Sequence, residues 1–204
     1  MPSLLRRGLC ILIKMIIVFT GNGKGKTTAA LGQAVRAVGR GKRVLMIQWI
    51  KGPWKSGEEF ADIAQKGSPS TRSGHKLSAE QSQNGTFSLV KKGLGFVGIL
   101  GDTLPREKHA EAARAALKLF TDELENGKWD LIILDEINVA MSLKLLKVAD
   151  VLKAIKKVPP EKLVILTGRG APASIIKAAD LATEMRELKH PFTKGKLAKI
   201  AIEF

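Results

Sequence analysis

The chain has 204 residues, of which 45% are apolar, which suits the core of one globular domain. Lysine and arginine number 34 against 19 acidic residues, giving a net charge of +15 that predicts attraction to polyanions such as nucleotides. The basic residues form no tail, which argues against a nucleic-acid-binding arm, and the single cysteine, Cys10, excludes an internal disulfide and a cysteine-based zinc site. A reduced, cytoplasmic setting is expected.

The first residues combine two arginines with an apolar run, a pattern that resembles a secretory signal peptide. Lys14 interrupts that run, and cleavage behind it would cut into or abut the strand predicted at Met15. Residues 1–14 are therefore interpreted as an N-terminal extension, with Met15 as the natural start and 15–204 as one nucleotide-binding domain. No apolar run approaches the ~20 residues that a membrane span requires.

Short β-branched apolar runs alternate with stretches of helical period. This alternation predicts an α/β fold with a mostly parallel sheet and helices on both faces. The predicted strands are 15–19, 43–49, 86–90, 131–134, 163–167, 182–188 and 197–204. One predicted helix follows Lys26, and the others cover 106–125, 148–157 and 173–179.

The stretch from about 57 to 85 is polar and rich in Ser, Gly and Gln, and it predicts a mobile surface segment with at most a short helix at its start. It is either a plain insertion or a lid that orders over a bound substrate. The three histidines of the chain lack the spacing of a metal site, and His75 and His109 are expected to face solvent.

A glycine-rich stretch, TGNGKGKTT at 20–28, connects the first predicted strand to the first predicted helix. Its glycines let successive backbone N–H groups point at one anion at the positive end of the helix. Lys26 adds a charge for the phosphates and Thr27 a hydroxyl for magnesium. Thr20 stands where the usual G-x-x-x-x-G-K-[ST] pattern has glycine, which raises the question of whether this loop treats its triphosphate in the ordinary way.

A phosphate loop predicts a second element, a buried strand that ends in an acidic residue near the magnesium ion. LIILDE at 131–136 supplies it, with Asp135 and Glu136 at the carboxyl end of the strand, where open parallel sheets bind ligands. Two adjacent acids indicate either two roles around the metal or one metal ligand and one base.

These two motifs indicate nucleotide binding, and three functions share them. A phosphoryl-transfer kinase would use Glu136 to orient an acceptor hydroxyl. An ATP-dependent nucleic-acid-binding protein would use the net positive charge. The third function comes from a resemblance that extends beyond the two motifs.

Four blocks in order are similar to the ATP:corrinoid adenosyltransferases of the cobalamin pathway. They are TGNGKGKTTAALGQAVRAVGRGKRVLMIQWIKG, LIILDEINVAM, LTGRGAP and ADLATEMRELKHPF, followed by a Lys-Gly and a terminal IEF. The blocks span about 15–204 with only the segment 57–85 unmatched. The family commonly has threonine at the first position of the loop, so Thr20 fits its pattern.

The resemblance implies a RecA-like phosphate-loop fold, ATP as co-substrate and Mg²⁺ (or Mn²⁺) as the metal. Cobalt in its +1 state attacks the ribose 5′-carbon, and the triphosphate leaves intact from a nucleotide held reversed relative to ordinary phosphate-loop enzymes. Residues 20–28 would hold the triphosphate, with Lys26 and Glu136 catalytic and with Thr27, Asp135 and Glu136 at the metal. The residues that this assigns to the loop are Thr20, Gly21, Asn22, Gly23, Lys24, Gly25, Lys26, Thr27 and Thr28.

The same resemblance adds Gln48, Lys51, Arg169, Arg186 and His190 to the nucleotide site. It also implies a corrinoid substrate, a flavoprotein electron donor and a homodimer, with no role for a membrane or nucleic acid.

On the corrinoid side, the family displaces the lower axial ligand of cobalt +2 with an aromatic pair in a G-F-x-W stretch. Phe96 matches that stretch and would be catalytic, but Gly98 stands where the tryptophan is expected.

Overall fold

The computed structural model describes residues 14–52, 55–60, 85–99 and 101–189. Six strands in these ranges form one sheet, in which all the pairings are parallel. They are β1 Met15–Thr20, β2 Arg43–Gln48, β3 Thr86–Lys91, β4 Leu131–Asp135, β5 Leu163–Thr167 and β6 Leu181–Glu184, in the order β3-β2-β4-β5-β1-β6. The predicted α/β fold with a parallel sheet is confirmed.

The helices are α1 Lys26–Val38, α2 Arg106–Glu125, α3 Ile137–Ser142, α4 Val148–Lys156 and α5 Ala173–Ala178. Helix α3 was not predicted, because it is a short segment that directly follows a strand. The strand predicted at 182–188 is wrong at its end, since β6 stops at Glu184 and the chain then turns onto the phosphate loop. The strand predicted at 197–204 lies outside the described residues.

Alternating residues of the strands face opposite sides of the sheet, as the two-residue period of a strand requires. On one side, Ile17, Met46 and Ile133 pack against α1, which presents a row of small and β-branched residues at a spacing of four: Ala30, Ala34 and Val38. On the other side, Val18, Leu45 and Ile132 pack under α2, α3, α4 and α5. Both faces of the sheet therefore carry helices, as predicted.

Because the strands are parallel, their carboxyl ends meet at one edge of the sheet. Four neighbouring strands, β2, β4, β5 and β1, end there in polar residues, in that order: Gln48, Asp135, Thr167 and Thr20. Gln48 lies directly opposite Asp135 in the register of β2 and β4. Ligands of open parallel sheets bind at this edge, so the fold brings the candidate site together.

His109 is buried in α2 and only 3% exposed, so the expectation that it faces solvent was wrong. Its Nε2 lies 3.0 Å from Oδ2 of Asp102. The same carboxylate accepts two backbone N–H groups, that of Gly98 on Oδ2 at 2.7 Å and that of Leu104 on Oδ1 at 3.1 Å. These backbone bonds, more than His109, lower the pKa of Asp102. Asp102 thus ties the irregular chain around Gly98 to α2.

Asp102→Asn is expected to lower the free energy of unfolding, because the asparagine amide places an N–H donor where the backbone N–H groups of Gly98 and Leu104 already converge. Denaturation in urea measures this. Asp122→Asn is the matched control, since Asp122 pairs with Lys118 at the surface and an exposed pair contributes roughly 0–1 kcal/mol. Equal losses in the two variants would mean that Asp102 does not anchor this chain segment.

A groove of about 850 Å³ runs between α2 and α4, lined by basic residues such as Arg114, Lys147 and Lys153 over an apolar floor. None of the predicted site residues lines it. No helix in the part of the chain that the structure describes has both the length and the apolar character needed to cross a bilayer.

Candidate nucleotide site

The phosphate loop connects β1 to α1 at the carboxyl edge of the sheet. Gly25 is the N-cap of α1, and the first turn contains no acidic residue, so the positive end of the helix dipole remains available to an anion. Lys26 is the first helical residue and is only 7% exposed. Its Nζ donates to the carbonyl oxygen of Gly23 at 2.6 Å, which folds the side chain back along the loop.

The residues after β6 hold this loop from the side. Met185 donates its N–H to the carbonyl of Thr20 at 2.8 Å and accepts the N–H of Gly23 at 2.7 Å. A Cβ on Gly23 would lie 2.7 Å from the carbonyl carbon of Arg186, so this close approach requires glycine. The predicted Arg186 is therefore next to the loop through its backbone, and its side chain is exposed.

Asp135 lies at the centre of a hydrogen-bond network at the end of β4 and is fully buried. Its Oδ1 accepts the hydroxyl groups of Thr27 at 2.8 Å and of Thr167 at 2.7 Å. Its Oδ2 accepts Nε2 of Gln48 at 3.1 Å. Since the Thr27 hydroxyl donates to Asp135, its oxygen keeps lone pairs that can face a metal ion.

Glu136 follows Asp135 in a left-handed conformation, with φ of 63°, which side chains rarely adopt outside special sites. Its N–H donates to Oγ1 of Thr167 at 3.0 Å, which fixes the turn out of the strand. Its Oε2 is buried and has no hydrogen-bond partner among the described residues. A buried carboxylate oxygen without a donor is a good acceptor site for a cation.

Burial is the main cause of the shifted pKa values of Lys26, Asp135 and Glu136 at this edge. Burial and the charge of Asp135 raise the pKa of Glu136 to about 7, against the opposing charges of Lys26, Lys51 and Arg169. Burial also raises the pKa of Asp135, although Lys51 and the threonine hydroxyl donors oppose it. Burial lowers the pKa of Lys26, and Glu136 opposes that shift. Two adjacent carboxylates of this kind favour binding of a cation, which can lie between the carboxylates on one side and a bound phosphate on the other.

The side chains fit a magnesium ion. Mg²⁺ prefers oxygen ligands and is commonly held by one or two protein groups together with substrate phosphates. The Thr27 hydroxyl and the unpartnered Oε2 of Glu136 are two oxygens at this edge with lone pairs that such an ion can use. Asp135 has both oxygens engaged by donors, which fits a residue that holds Thr27 or a metal-bound water.

At the end of β2, Gln48 is fully buried and Lys51 lies beside it. Lys51 forms an ion pair with Glu58, a residue of the 3₁₀ turn Gly57–Glu59 at the start of the polar segment. Residues 61–84 of that segment lie outside the described ranges.

The loop that carries Phe96 lies across the end of β2. A Cβ on Gly52 would come within 2.6 Å of the Cα of Gly95, so the two backbones touch. Phe96 is 42% exposed. Other large apolar side chains in the same irregular stretch are also exposed: Leu94, Ile99 and Leu104. Gly98, in place of the expected tryptophan, has a φ of 71° that disfavours larger residues.

Arg169 follows β5 and is exposed, and its charge influences the pKa of both Lys26 and Glu136, so it lies near both. His190 is outside the described residues. The exposed members of the loop are Asn22, Lys24 and Thr28.

Three residues at this edge were not predicted. Thr167 bridges Asp135 and the N–H of Glu136, and its position at the end of a strand was the available signal. Asn138 is fully buried on α3 and donates to the carbonyl of Gly168 at 3.3 Å, which supports the turn before Arg169. Glu58 fell within a segment whose composition indicated mobility, so no sequence signal marked it.

Comparison with known proteins agrees with this geometry. The chain matches the family model of the ATP:corrinoid adenosyltransferases BtuR/CobO/CobP over residues 13–204. It is 35% identical over 190 residues to the corrinoid adenosyltransferase of Escherichia coli K12, covering 93% of this chain and 85% of that relative. It is 34% identical over 190 residues to the corrinoid adenosyltransferase CobA of Salmonella typhimurium LT2, with the same coverage.

A looser structural likeness, with a TM-score of 0.41 and 14% identity, covers 91% of this chain and 53% of an ATPase from a type III secretion system. The family match covers nearly the whole chain, including every predicted site residue. The chain therefore belongs to the ATP:corrinoid adenosyltransferase family.

Proposed function

We propose that this protein transfers the 5′-deoxyadenosyl group of ATP to the cobalt of a corrinoid and releases triphosphate. The observation that carries the proposal is a phosphate loop facing two buried carboxylates in a chain that matches this family over 13–204. Nothing in the comparisons supports the kinase or the nucleic-acid-binding protein.

In the transfer step, the electron pair of cobalt +1 forms the Co–C5′ bond, and the C5′–O bond to the triphosphate breaks. Cobalt becomes formally +3, and the leaving triphosphate keeps the bonding electrons and gains negative charge. Lys26, the positive end of α1 and backbone N–H groups of the loop stabilise that charge, whereas the N–H of Gly23 is engaged by Met185. These groups are fixed before the reaction, so little reorganisation is needed when the charge develops.

Thr27 and Glu136 hold a magnesium ion in this proposal, with Asp135 behind Thr27. The ion, when bound, neutralises phosphate charge and so makes triphosphate a better leaving group. Lys24, Lys51, Arg169 and Arg186 are proposed to add positive charge around the nucleotide.

The apolar stretch between residues 94 and 104 is the proposed corrinoid surface. Phe96, Leu94, Ile99 and Leu104 are each partly exposed in this stretch, and apolar side chains suit the face of a large flat macrocycle. Because Gly98 stands where the family stretch has tryptophan, Phe96 is the residue of that stretch that is proposed to press against the ring.

Phe96→Ala is expected to reduce turnover more from corrinoid supplied as cobalt +2 than from corrinoid already reduced to cobalt +1. The reason is that Phe96 is proposed to act in displacing the axial ligand before reduction. Leu94→Ala is the matched control: its side chain is equally exposed, at 42%, on the same proposed surface, and its loss is expected to lower turnover equally from the two starting states. An equal loss from both starting states would remove Phe96 from the reduction step.

Product analysis tests the function as a whole. The protein is incubated with Mg-ATP and reduced cobalamin or cobinamide, and the light-sensitive Co–C product is followed by absorbance. Intact triphosphate with adenosyl-corrinoid is expected. ADP or free phosphate would instead indicate a kinase, and salt-sensitive DNA retention without turnover would indicate a nucleic-acid-binding protein.

We further propose that a flavoprotein supplies the electron, that the protein works in the cytoplasm and that two copies form a dimer. The support is the family resemblance, and the net charge of +15 favours a donor with an acidic surface. Light scattering in solution tests the dimer.

A further inference from the structure

Glu58 connects the 3₁₀ turn Gly57–Glu59 to the end of β2. Its side chain is 10% exposed, and its Oε1 accepts Nε2 of Gln48 at 2.9 Å and also pairs with the ammonium of Lys51. Burial alone would raise the pKa of Glu58, but the hydrogen bond and charge of Lys51, with Gln48, lower it to about 2. Glu58 is therefore a carboxylate at neutral pH.

Gln48 lies between two carboxylates. Its Nε2 donates to Oε1 of Glu58 at 2.9 Å and to Oδ2 of Asp135 at 3.1 Å, which uses both N–H bonds of the amide. The amide cannot turn over without directing its oxygen at two carboxylates. Its Oε1 is buried and has no partner among the described residues, so the two carboxylates alone fix its orientation.

The network continues from Asp135 to the phosphate loop. Asp135 uses Oδ2 for Gln48 and Oδ1 for the hydroxyls of Thr27 and Thr167. A change in the Gln48 amide therefore reaches the Thr27 hydroxyl through one buried carboxylate. Buried networks of this kind couple their members strongly, because the surrounding medium screens them little.

We propose that Glu58 is a positioning residue for the metal site: it holds the Gln48 amide against Asp135, so that Asp135 keeps the Thr27 hydroxyl oriented toward Mg-ATP. This rests on the proposed function for the ligand, and it extends that function by assigning a role to a residue outside the phosphate loop and the acidic pair. Outer partners of this kind typically contribute ~10–100-fold to metal affinity.

The neighbouring Glu59 offers a matched control. It belongs to the same 3₁₀ turn and pairs with Lys91 at 2.8 Å, and it accepts the N–H of Ser56 at 2.6 Å. It therefore holds the same turn in place. The contacts found for it do not include Gln48 or Asp135.

The experiment compares Glu58→Gln and Glu59→Gln by isothermal titration with ATP, once with Mg²⁺ and once in EDTA. Glu58→Gln is expected to weaken binding of Mg-ATP ~10-fold or more and to change binding of metal-free ATP less than ~2-fold. Glu59→Gln is expected to change neither.

A double-mutant cycle separates the route through Gln48 from other effects. In a Gln48→Met background, Glu58→Gln should cause no further loss of Mg-ATP affinity. Thermal unfolding of each variant shows whether it is folded at the temperature of the titration. If Glu58→Gln is not folded, Gln48→Met is titrated in its place and should show the same Mg²⁺-specific loss of ATP affinity.

Three results would overturn the proposal: equal losses in Glu58→Gln and Glu59→Gln, equal losses with and without Mg²⁺, or additive losses in the cycle. The titrations need no corrinoid. If Mg-ATP binds but no adenosyl-corrinoid forms, the proposed function fails while the role of Glu58 is still decided by the titrations.

Discussion

Lys26→Ala is expected to lower kcat/KM for adenosyl transfer by at least ~10²–10³-fold, the usual effect of removing one preorganised donor to developing charge. Lys26 is only 7% exposed, and its Nζ donates a hydrogen bond to the carbonyl of Gly23 within the phosphate loop. The variant removes a nearly buried cation from the loop that is proposed to hold the leaving triphosphate. The measurement is the initial rate of Co–C bond formation from pre-reduced corrinoid, which bypasses the reduction step.

Folding should survive this change. Burial lowers the pKa of Lys26, so the folded state is penalised for holding its charge, and the nucleotide-free variant should unfold at an equal or higher temperature. Lys156→Ala, an exposed residue of α4, controls for the loss of one positive charge from the chain. Comparable activity losses in Lys26→Ala and Lys156→Ala would mean that bulk charge, and not the loop lysine, matters.

The regular elements could be predicted well because each has a clear period. The strand at 163–167 has the predicted bounds, and α2 does too, since its buried face repeats at helical spacing through Ala113, Phe120 and Leu124. Helix α3 could not be predicted, because six residues are too few to establish a period and Glu136 must first adopt a left-handed turn.

The site could be predicted where the chemistry is local. The loop at 20–28 and the Asp135-Glu136 pair are short motifs, and parallel strands bring their carboxyl ends together, so the contact between Thr27 and Asp135 follows from the sequence. Glu58 contacts Gln48 across a turn, and Met185 reaches the loop from the end of β6. Such contacts depend on tertiary packing, for which a single sequence gives no signal.

Glu136→Gln is expected to stabilise the metal-free protein at neutral pH while disabling the proposed metal site. Burial and Asp135 raise the pKa of Glu136 from 4.5 to about 7. Between these values, the folded state binds more protons than the unfolded state, so stability falls as the pH rises through this window. Across this pH window, the free energy of unfolding of the wild type should fall by about 2–3 kcal/mol because of Glu136, and that of the variant should not show this fall.

Urea denaturation in EDTA at pH 4.5 and pH 8 measures the difference, with the exposed Glu161→Gln as a control for the loss of one carboxylate from the chain. Saturating Mg-ATP should reverse the order at pH 8, because the wild-type carboxylate can then bind the ion and the glutamine cannot. A Glu136→Gln variant that gained as much stability from Mg-ATP as the wild type would show that Glu136 does not hold the metal. In that case, the raised pKa of Glu136 would reflect a loss of stability caused by burial alone. A reversal would mean that the carboxylate of Glu136 lowers the stability of the nucleotide-free protein and is stabilised by the Mg-ATP that it binds.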